Sequence, residues 1–240
     1  QLGGHSLYLA PNEINLGVRE SIADVAKTLS RYIDGIVIRT FEHKNCLELA
    51  KEASVPVING LSDFSHPCQA LADLYTVKEK FKVLKGLTLA YVGDGNNVCN
   101  SLLFICAKLG VNMNVGCPVG YEPDIAVLKD AKAAAEASGA RINLFNDASS
   151  AAKEADVIYT DVWASMGQED EAAKRKEAFK DFQVNQELVK LAKPKALIMH
   201  CLPAHRGEEI TADVLDSQNA VVFDEAENRM HVQKAVLIKL

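Results

Sequence analysis

Short apolar runs alternate with stretches of helical periodicity along nearly the whole chain. Residues 6–9 read as a strand, about 18–31 as a helix and 35–39 as a second strand, because the spacing switches from clustered apolar runs to i, i+3, i+4 and back. A helix near 44–54, with Leu47, Leu49 and Ala50 turned inward, leads to a strand over 55–59 that ends in the turn pair Asn59-Gly60. From Pro67 an amphipathic pattern through Ala70, Leu71, Leu74, Tyr75, Val77 and Phe81 runs unbroken to Lys85-Gly86, which predicts a long connecting helix. A second series follows. Strands are expected at 87–92, 111–115, 142–145, 157–160, 196–200 and 220–223, and helices at 98–109, 124–138, 149–155 and from about 228 to the end. Strands alternating with helices argue an α/β chain with doubly wound parallel sheet.

Composition narrows the function without changing that picture. With 240 residues, 48% of them hydrophobic and 24% charged, the chain has enough apolar surface for one large or two modest cores. The net charge of −6 argues against a broad polyanion-binding surface, and so against nucleic acid, while leaving room for a local anion pocket. Six cysteines, at 46, 68, 99, 106, 117 and 201, form no C-x-x-C pair. They predict neither a zinc site nor a disulfide framework and fit a reducing compartment. No apolar run reaches the roughly eighteen residues of a membrane span, and the first ten residues lack a signal-peptide pattern, so a soluble cytoplasmic protein with no membrane partner is expected.

In wound sheets ligands sit beyond the carboxyl ends of strands, so the polar residues after each apolar run are the candidates. Arg39, Asn96-Asn97, the segment 161–167 and His200-Cys201-Leu202-Pro203 all occupy such positions, and His66-Pro67-Cys68-Gln69 opens the connecting helix. His66 and Gln69, three apart, can share one helix face and grip an oxygen, with Cys68 turned into packing. Alone, a histidine there is more often a cap or a surface residue. Asp161 offers a carboxylate to an ammonium group, or merely caps the next segment while Trp163 packs. Cys201 in isolation reads as a buried small hydrophobe, and Arg39 and Arg229 as ordinary surface arginines. The charged string 169–176 reads as a solvated helix. Gly93-x-Gly95 is a weak dinucleotide signal, since Val98 stands at the third glycine position and no acid follows the next strand; a tight strand-to-helix turn is the simpler reading.

Taken together and in order, these segments resemble the ornithine carbamoyltransferase family across essentially the whole chain. His66 to Gln69 is similar to its H-P-x-Q, Asp161 to Gly167 to its D-x-W-x-S-M-G, His200 to Pro203 to its H-C-L-P, and Asn228-Arg229 to its C-terminal segment. The sister aspartate family shares only the first of these. The resemblance implies that Arg39, His66, Gln69 and Arg229 hold carbamoyl phosphate, and that Asn97, Asp161, Ser165 and Met166 hold L-ornithine. Cys201 and Leu202 lie beside both. It names His66, Arg39 and Cys201 as catalytic, with Cys201 helping to set the protonation of the attacking amine, and it implies neither metal nor organic cofactor. It also implies a homotrimer or a multiple of trimers, with Asn15 near a neighbouring subunit.

The implied architecture is two doubly wound parallel-sheet lobes, the first incomplete. Residues 1–66 form the remainder of a carbamoyl phosphate-binding domain, 67–85 the connector, 86–227 an ornithine-binding domain, and 228–240 a helix returning to the first domain. One departure matters. The family's S-T-R-T-R phosphate motif, expected shortly upstream of Leu2-Gly3-Gly4, is absent from the sequence, so an N-terminally truncated copy with weak carbamoyl phosphate binding and negligible turnover is expected. The competing readings are a non-catalytic amino-acid-binding remnant, a carbamoyltransferase for a related amine such as putrescine, and an NAD-linked oxidoreductase. Asp161 with the following loop favours an amino acid over putrescine.

Overall fold

A computed structural model describes residues 1–164 and 169–240. In the first lobe a helical turn α1 (Pro11–Ile14) precedes α2 (Ile22–Leu29), β1 (Ile36–Arg39), α3 (His43–Glu52) and β2 (Val57–Leu61). The two strands pair in parallel, with a register shift between Ile38 and Arg39. Ile36 and Ile38 of β1 face Ile22 and Ala26 of α2 and Cys46 and Leu49 of α3, forming one small core. Val37, on the opposite face of β1, is 65% exposed.

Four details of this lobe differ from expectation, the first being that β2 runs through Asn59-Gly60 to Leu61 instead of turning there. Residues 6–9 join neither sheet, and Tyr8 is 84% exposed, since a lone apolar run gains nothing from pairing without a surface to bury it. The helix expected over 18–31 begins only at Ile22, where Ser21 Oγ accepts the Asp24 N–H as an N-cap. On α3 the buried stripe is Cys46 and Leu49, three apart, while Leu47 is 59% exposed and Ala50, though only about 40° round the helix from Cys46, is exposed as well.

α4 (Pro67–Phe81) connects the lobes and stops short of residue 85, because Lys82 takes a left-handed conformation (φ 69°) at its C-cap. The second lobe runs β3 (Thr88–Val92), α5 (Asn97–Leu109), β4 (Asn112–Gly116), α6 (Ile125–Ser138), β5 (Ile142–Phe145), α7 (Ala148–Ala152) and β6 (Val157–Thr160). It continues through α8 (Ala172–Phe179), α9 (Gln186–Val189), β7 (Leu197–His200), α10 (Ala212–Leu215) and α11 (Val222–Lys239). All five strands are parallel, in the order β5-β4-β3-β6-β7.

Period-two alternation gives this sheet two dry faces. Leu89, Tyr91, Val157, Tyr159 and Met199 pack toward α4, α5 and α6, while Ala90, Val92, Ile158 and Ile198 pack toward α7, α8 and α9. The strand expected at 220–223 is absent. Ala220 makes a single bridge to Ile198, and Val222 already belongs to α11, whose acidic first turn (Asp224, Glu225) suits a helix N-terminus. α11 then packs along α4, where Asn228 Nδ2 donates to Thr76 Oγ1 at 3.0 Å and to Glu79 Oε2 at 2.7 Å. No helix among the described residues is long and apolar enough to cross a membrane.

Candidate active site

The strand order reverses between β3 and β6, and a cavity of about 1250 Å³ opens at the carboxyl ends of those strands, against the end of β1 and the start of α4. Arg39, His66, Gln69, Asn97, Asp161, Cys201, Leu202 and Arg229 all line it, so eight sequence candidates from six separate segments meet in one cleft. Ser165 and Met166 lie outside the described residues. Asn15 does not line the cleft; it is the exposed, left-handed C-cap of α1.

One end is cationic. His66 caps α4, and its own N–H donates to Ser101 Oγ at 2.8 Å, which sews the start of α4 to α5. Its ring is buried, and Nδ1 has no partner. Burial, then the positive charges of Arg229 and Arg39, lower its pKa to about 4, so the imidazole is neutral at physiological pH and offers one N–H. Arg39 ends β1, and Arg229 projects from the second turn of α11. Gln69 is 1% exposed; its Nε2 donates to Asp73 Oδ1 and Glu225 Oε1, and its Oε1 has no partner. Cys68 turns into packing as expected, its thiol against the Asn59 carbonyl.

The other end is acidic. Asp161 follows β6 and is held on three sides: Oδ2 accepts from Asn96 Nδ2 at 2.7 Å, and Oδ1 accepts the Val162 N–H at 2.8 Å and the Cys201 thiol at 3.0 Å. Burial and the Asp161 carboxylate push the Cys201 thiol well above its ordinary pKa, so it stays protonated and donates. Asn97 Nδ2 donates to the Ser62 carbonyl at 2.7 Å, tying the two lobes. Leu202 adopts φ 56°, and its N–H donates to His200 Nδ1.

The turn between β3 and α5 holds this end together. A Cβ on Gly95 would lie 2.2 Å from Pro123 N, so the glycine allows close backbone approach, as the tight-turn reading required. Asn96 is a candidate ligand contact by sequence, but its part in holding Asp161 and the part of Arg175 are not legible there. Asn96 caps α5, its Oδ1 accepting the Val98 and Cys99 N–H groups, while its amide orients Asp161. Arg175, expected on a solvated helix face, is 6% exposed and reaches Asp94 Oδ2 at 2.8 Å and the Trp163 carbonyl at 2.9 Å, beneath the Tyr121 ring. The solvated-helix reading is therefore corrected at Arg175 alone; Asp170, Glu171, Lys174 and Lys176 are exposed as expected. Charge pattern shows where a helix is polar but not which distant carboxylate its one buried cation meets. Burial raises the Asp94 carboxyl to about 6 against the pull of Arg175.

Asp161, His200 and Cys201 bring one potential metal-ligand atom each within 4.8 Å. Both nitrogens of His200 are engaged, Nε2 with Glu209 Oε1 at 3.1 Å and Nδ1 with the Leu202 N–H. Ligation through that histidine would break one of these contacts, so the donor set suits an internal hydrogen-bond network better than a resident ion.

Residues 1–79 match the family model described as the carbamoyl-P binding domain of aspartate/ornithine carbamoyltransferase, and residues 85–240 match that of its Asp/Orn binding domain. The ornithine carbamoyltransferase of Thermococcus kodakarensis is 61% identical over 237 residues, 99% of this chain and 75% of the relative. The ornithine carbamoyltransferase structure from Pyrococcus furiosus superposes with a TM-score of 0.96 at 59% identity, covering 98% of this chain and 75% of that one. The anabolic ornithine carbamoyltransferase of Campylobacter jejuni gives a TM-score of 0.93 at 37% identity, covering 99% and 78%.

Proposed function

This chain belongs to the aspartate/ornithine carbamoyltransferase family, and on that premise we propose that its cleft transfers the carbamoyl group of carbamoyl phosphate to the δ-amine of L-ornithine, giving L-citrulline and phosphate. The observation that carries this reading is the polarity of one cavity: Arg39, Arg229 and neutral His66 at one end, Asp161 at the other. A phosphate leaving group and a carbamoyl oxygen gaining negative charge call for the first; an α-ammonium calls for the second.

In this reading Arg39, His66, Gln69 and Arg229 hold carbamoyl phosphate, and Asn97, Asp161, Ser165 and Met166 hold ornithine. The uncharged δ-amine attacks the carbamoyl carbon, the oxyanion is met by Arg39 and the His66 N–H, and the C–O bond to phosphate breaks. Cys201, a donor to Asp161, acts by keeping that carboxylate in place, and Leu202 lines the junction of the two substrates. The proton of the attacking amine then passes to the departing phosphate. Residues 1–66 serve the carbamoyl phosphate half, 67–85 the connection, 86–227 the ornithine half, and 228–240 return to the first domain. The active form is a cytoplasmic homotrimer or a multiple of it, with Asn15 toward a neighbour.

The test is product formation by the complete gene product from carbamoyl phosphate with ornithine, aspartate or putrescine as acceptor. Citrulline as the dominant product supports the reading, and preferential carbamoylation of aspartate or putrescine overturns it.

A further inference from the structure

Two acids with no assigned part in the reaction sit directly behind the ligand-facing amide. Asp73 and Glu225 are both 0% exposed, and they come from different helices, α4 and α11. Each lies one helical turn from a residue that lines the cleft: Gln69 four positions before Asp73, Arg229 four after Glu225. Gln69 Nε2 joins the two acids, donating to Asp73 Oδ1 at 2.8 Å and to Glu225 Oε1 at 3.1 Å. Glu225 is itself fixed, since Tyr159 Oη donates to Oε1 at 3.2 Å and the His200 N–H donates to Oε2 at 3.1 Å.

A carboxamide has nearly the same shape either way round, so whether its oxygen or its nitrogen faces a ligand is decided by what the inner end touches. Here the inner end meets two carboxyl oxygens, which hold the NH₂ group and leave Oε1 as an unpartnered buried acceptor. An acceptor at that point suits a ligand bearing N–H donors. An isosteric methyl in place of the NH₂ leaves that oxygen without a partner, and a buried polar atom without a partner costs about 1–3 kcal/mol.

We infer that Asp73 and Glu225 are positioning residues that fix the Gln69 carboxamide oxygen-outward, and thereby make the site select a carbamoyl group over an acetyl group on the same phosphate. Both residues act through Gln69 and touch no substrate. The inference rests on the carbamoyl-transfer reading above. Asp73→Leu removes the acceptor and frees the amide to turn. Asp73→Asn keeps an oxygen for Gln69 Nε2 and presents an NH₂ to the Glu225 carboxyl, so it restores the arrangement.

The test uses the complete gene product. If the unmodified enzyme forms no citrulline, the functional reading fails first and separately. If it is active, Asp73→Leu is expected to raise the KM for carbamoyl phosphate about tenfold or more, to leave the KM for ornithine within about twofold, and to bring the inhibition constant of acetyl phosphate closer to that KM. Asp73→Asn is expected to recover to within about threefold. In a Gln69→Ala background, Asp73→Leu is expected to have no further effect on the carbamoyl phosphate KM. Should Asp73→Leu fail to fold, Tyr159→Phe, which removes one support of Glu225, takes its place with a smaller rise of about three- to tenfold. Additive effects in the Gln69→Ala background, or equal rises in both KM values, overturn the inference.

Discussion

Asn96 Nδ2 donates to Asp161 Oδ2 at 2.7 Å, so the side chain that caps α5 also aims the carboxylate following β6. One residue therefore couples helix stability to the acidic end of the cleft. Asn96→Ala removes both functions, and we expect a loss of about 1–2 kcal/mol in unfolding free energy with a KM for ornithine raised about tenfold. Asn96→Asp retains the cap acceptor but turns an oxygen toward Asp161. Its ornithine KM is expected to rise at least as far while less cap stability is lost. Thermal unfolding and steady-state kinetics on the same two variants separate these effects, and an unchanged ornithine KM in both would detach Asn96 from the site.

His66 binds fewer protons folded than unfolded between about pH 4 and its ordinary value of 6.5. Protonation in that window favours the unfolded chain, so stability is present above pH 6.5 and is lost as pH falls toward 4, by about 3 kcal/mol at pH 4 from this group. His66→Asn removes that contribution. Urea midpoints at pH 4.5, 5.5, 6.5 and 7.5 are expected to fall less steeply on acidification in the variant than in the parent, and parallel curves would refute the burial argument.

Arg175→Met leaves Asp94 buried without its cation. The expected cost is about 3–5 kcal/mol at pH 8, most of it recovered when Asp94→Asn is added, because the isolated charge rather than the lost bond dominates. The folded Asp94 carboxyl already sits near 6, and without Arg175 it rises further, so the deficit of the single variant is expected to shrink as pH is lowered from 8 to 5. The ornithine KM is also expected to rise, since Arg175 anchors the Trp163 carbonyl just after Asp161. Equal deficits at both pH values in urea titrations would contradict this account.

The line between what was legible in the sequence and what was not follows the range of the interactions. Alternation of apolar runs located β1 to β7 and the connector, and strand-end logic found Arg39, Asn97, Asp161 and Cys201, because a parallel sheet delivers all its carboxyl ends to one edge. Asp73, Glu225 and the Arg175–Asp94 pair depend on which helix lies against which. A helix period records the apolar face and is silent about its partner. Asp73 did leave a trace: a carboxylate between Ala72 and Leu74, inside the buried stripe of α4, has no reason to be there unless something meets it. The apolar run 220–223 misled for the opposite reason, since β-branched residues also serve a helix turn buried against β7.

Cys201 carries the last prediction, because its thiol and Asp161 constrain each other. A thiol held protonated by burial and by a carboxylate 3.0 Å away is a poor nucleophile, so alkylation by iodoacetamide at pH 8 is expected to be much slower than that of free glutathione. The other five cysteines are buried, which leaves Cys201 as the site to follow by mass spectrometry. Asp161→Asn removes the nearby negative charge but not the burial, and a rise in alkylation rate of a few-fold to about tenfold is expected. In kinetics, Cys201→Ser keeps a donor for Asp161 Oδ1 and Cys201→Ala does not; the serine variant is expected to hold its ornithine KM within about threefold, while the alanine variant loses about tenfold. A thiolate acting as the base for the attacking amine would abolish that difference, since serine at its ordinary pKa replaces a thiolate no better than alanine does. Near-equal damage in the two variants, together with fast alkylation in the parent, would show that Cys201 works through its charge and not through its bond to Asp161.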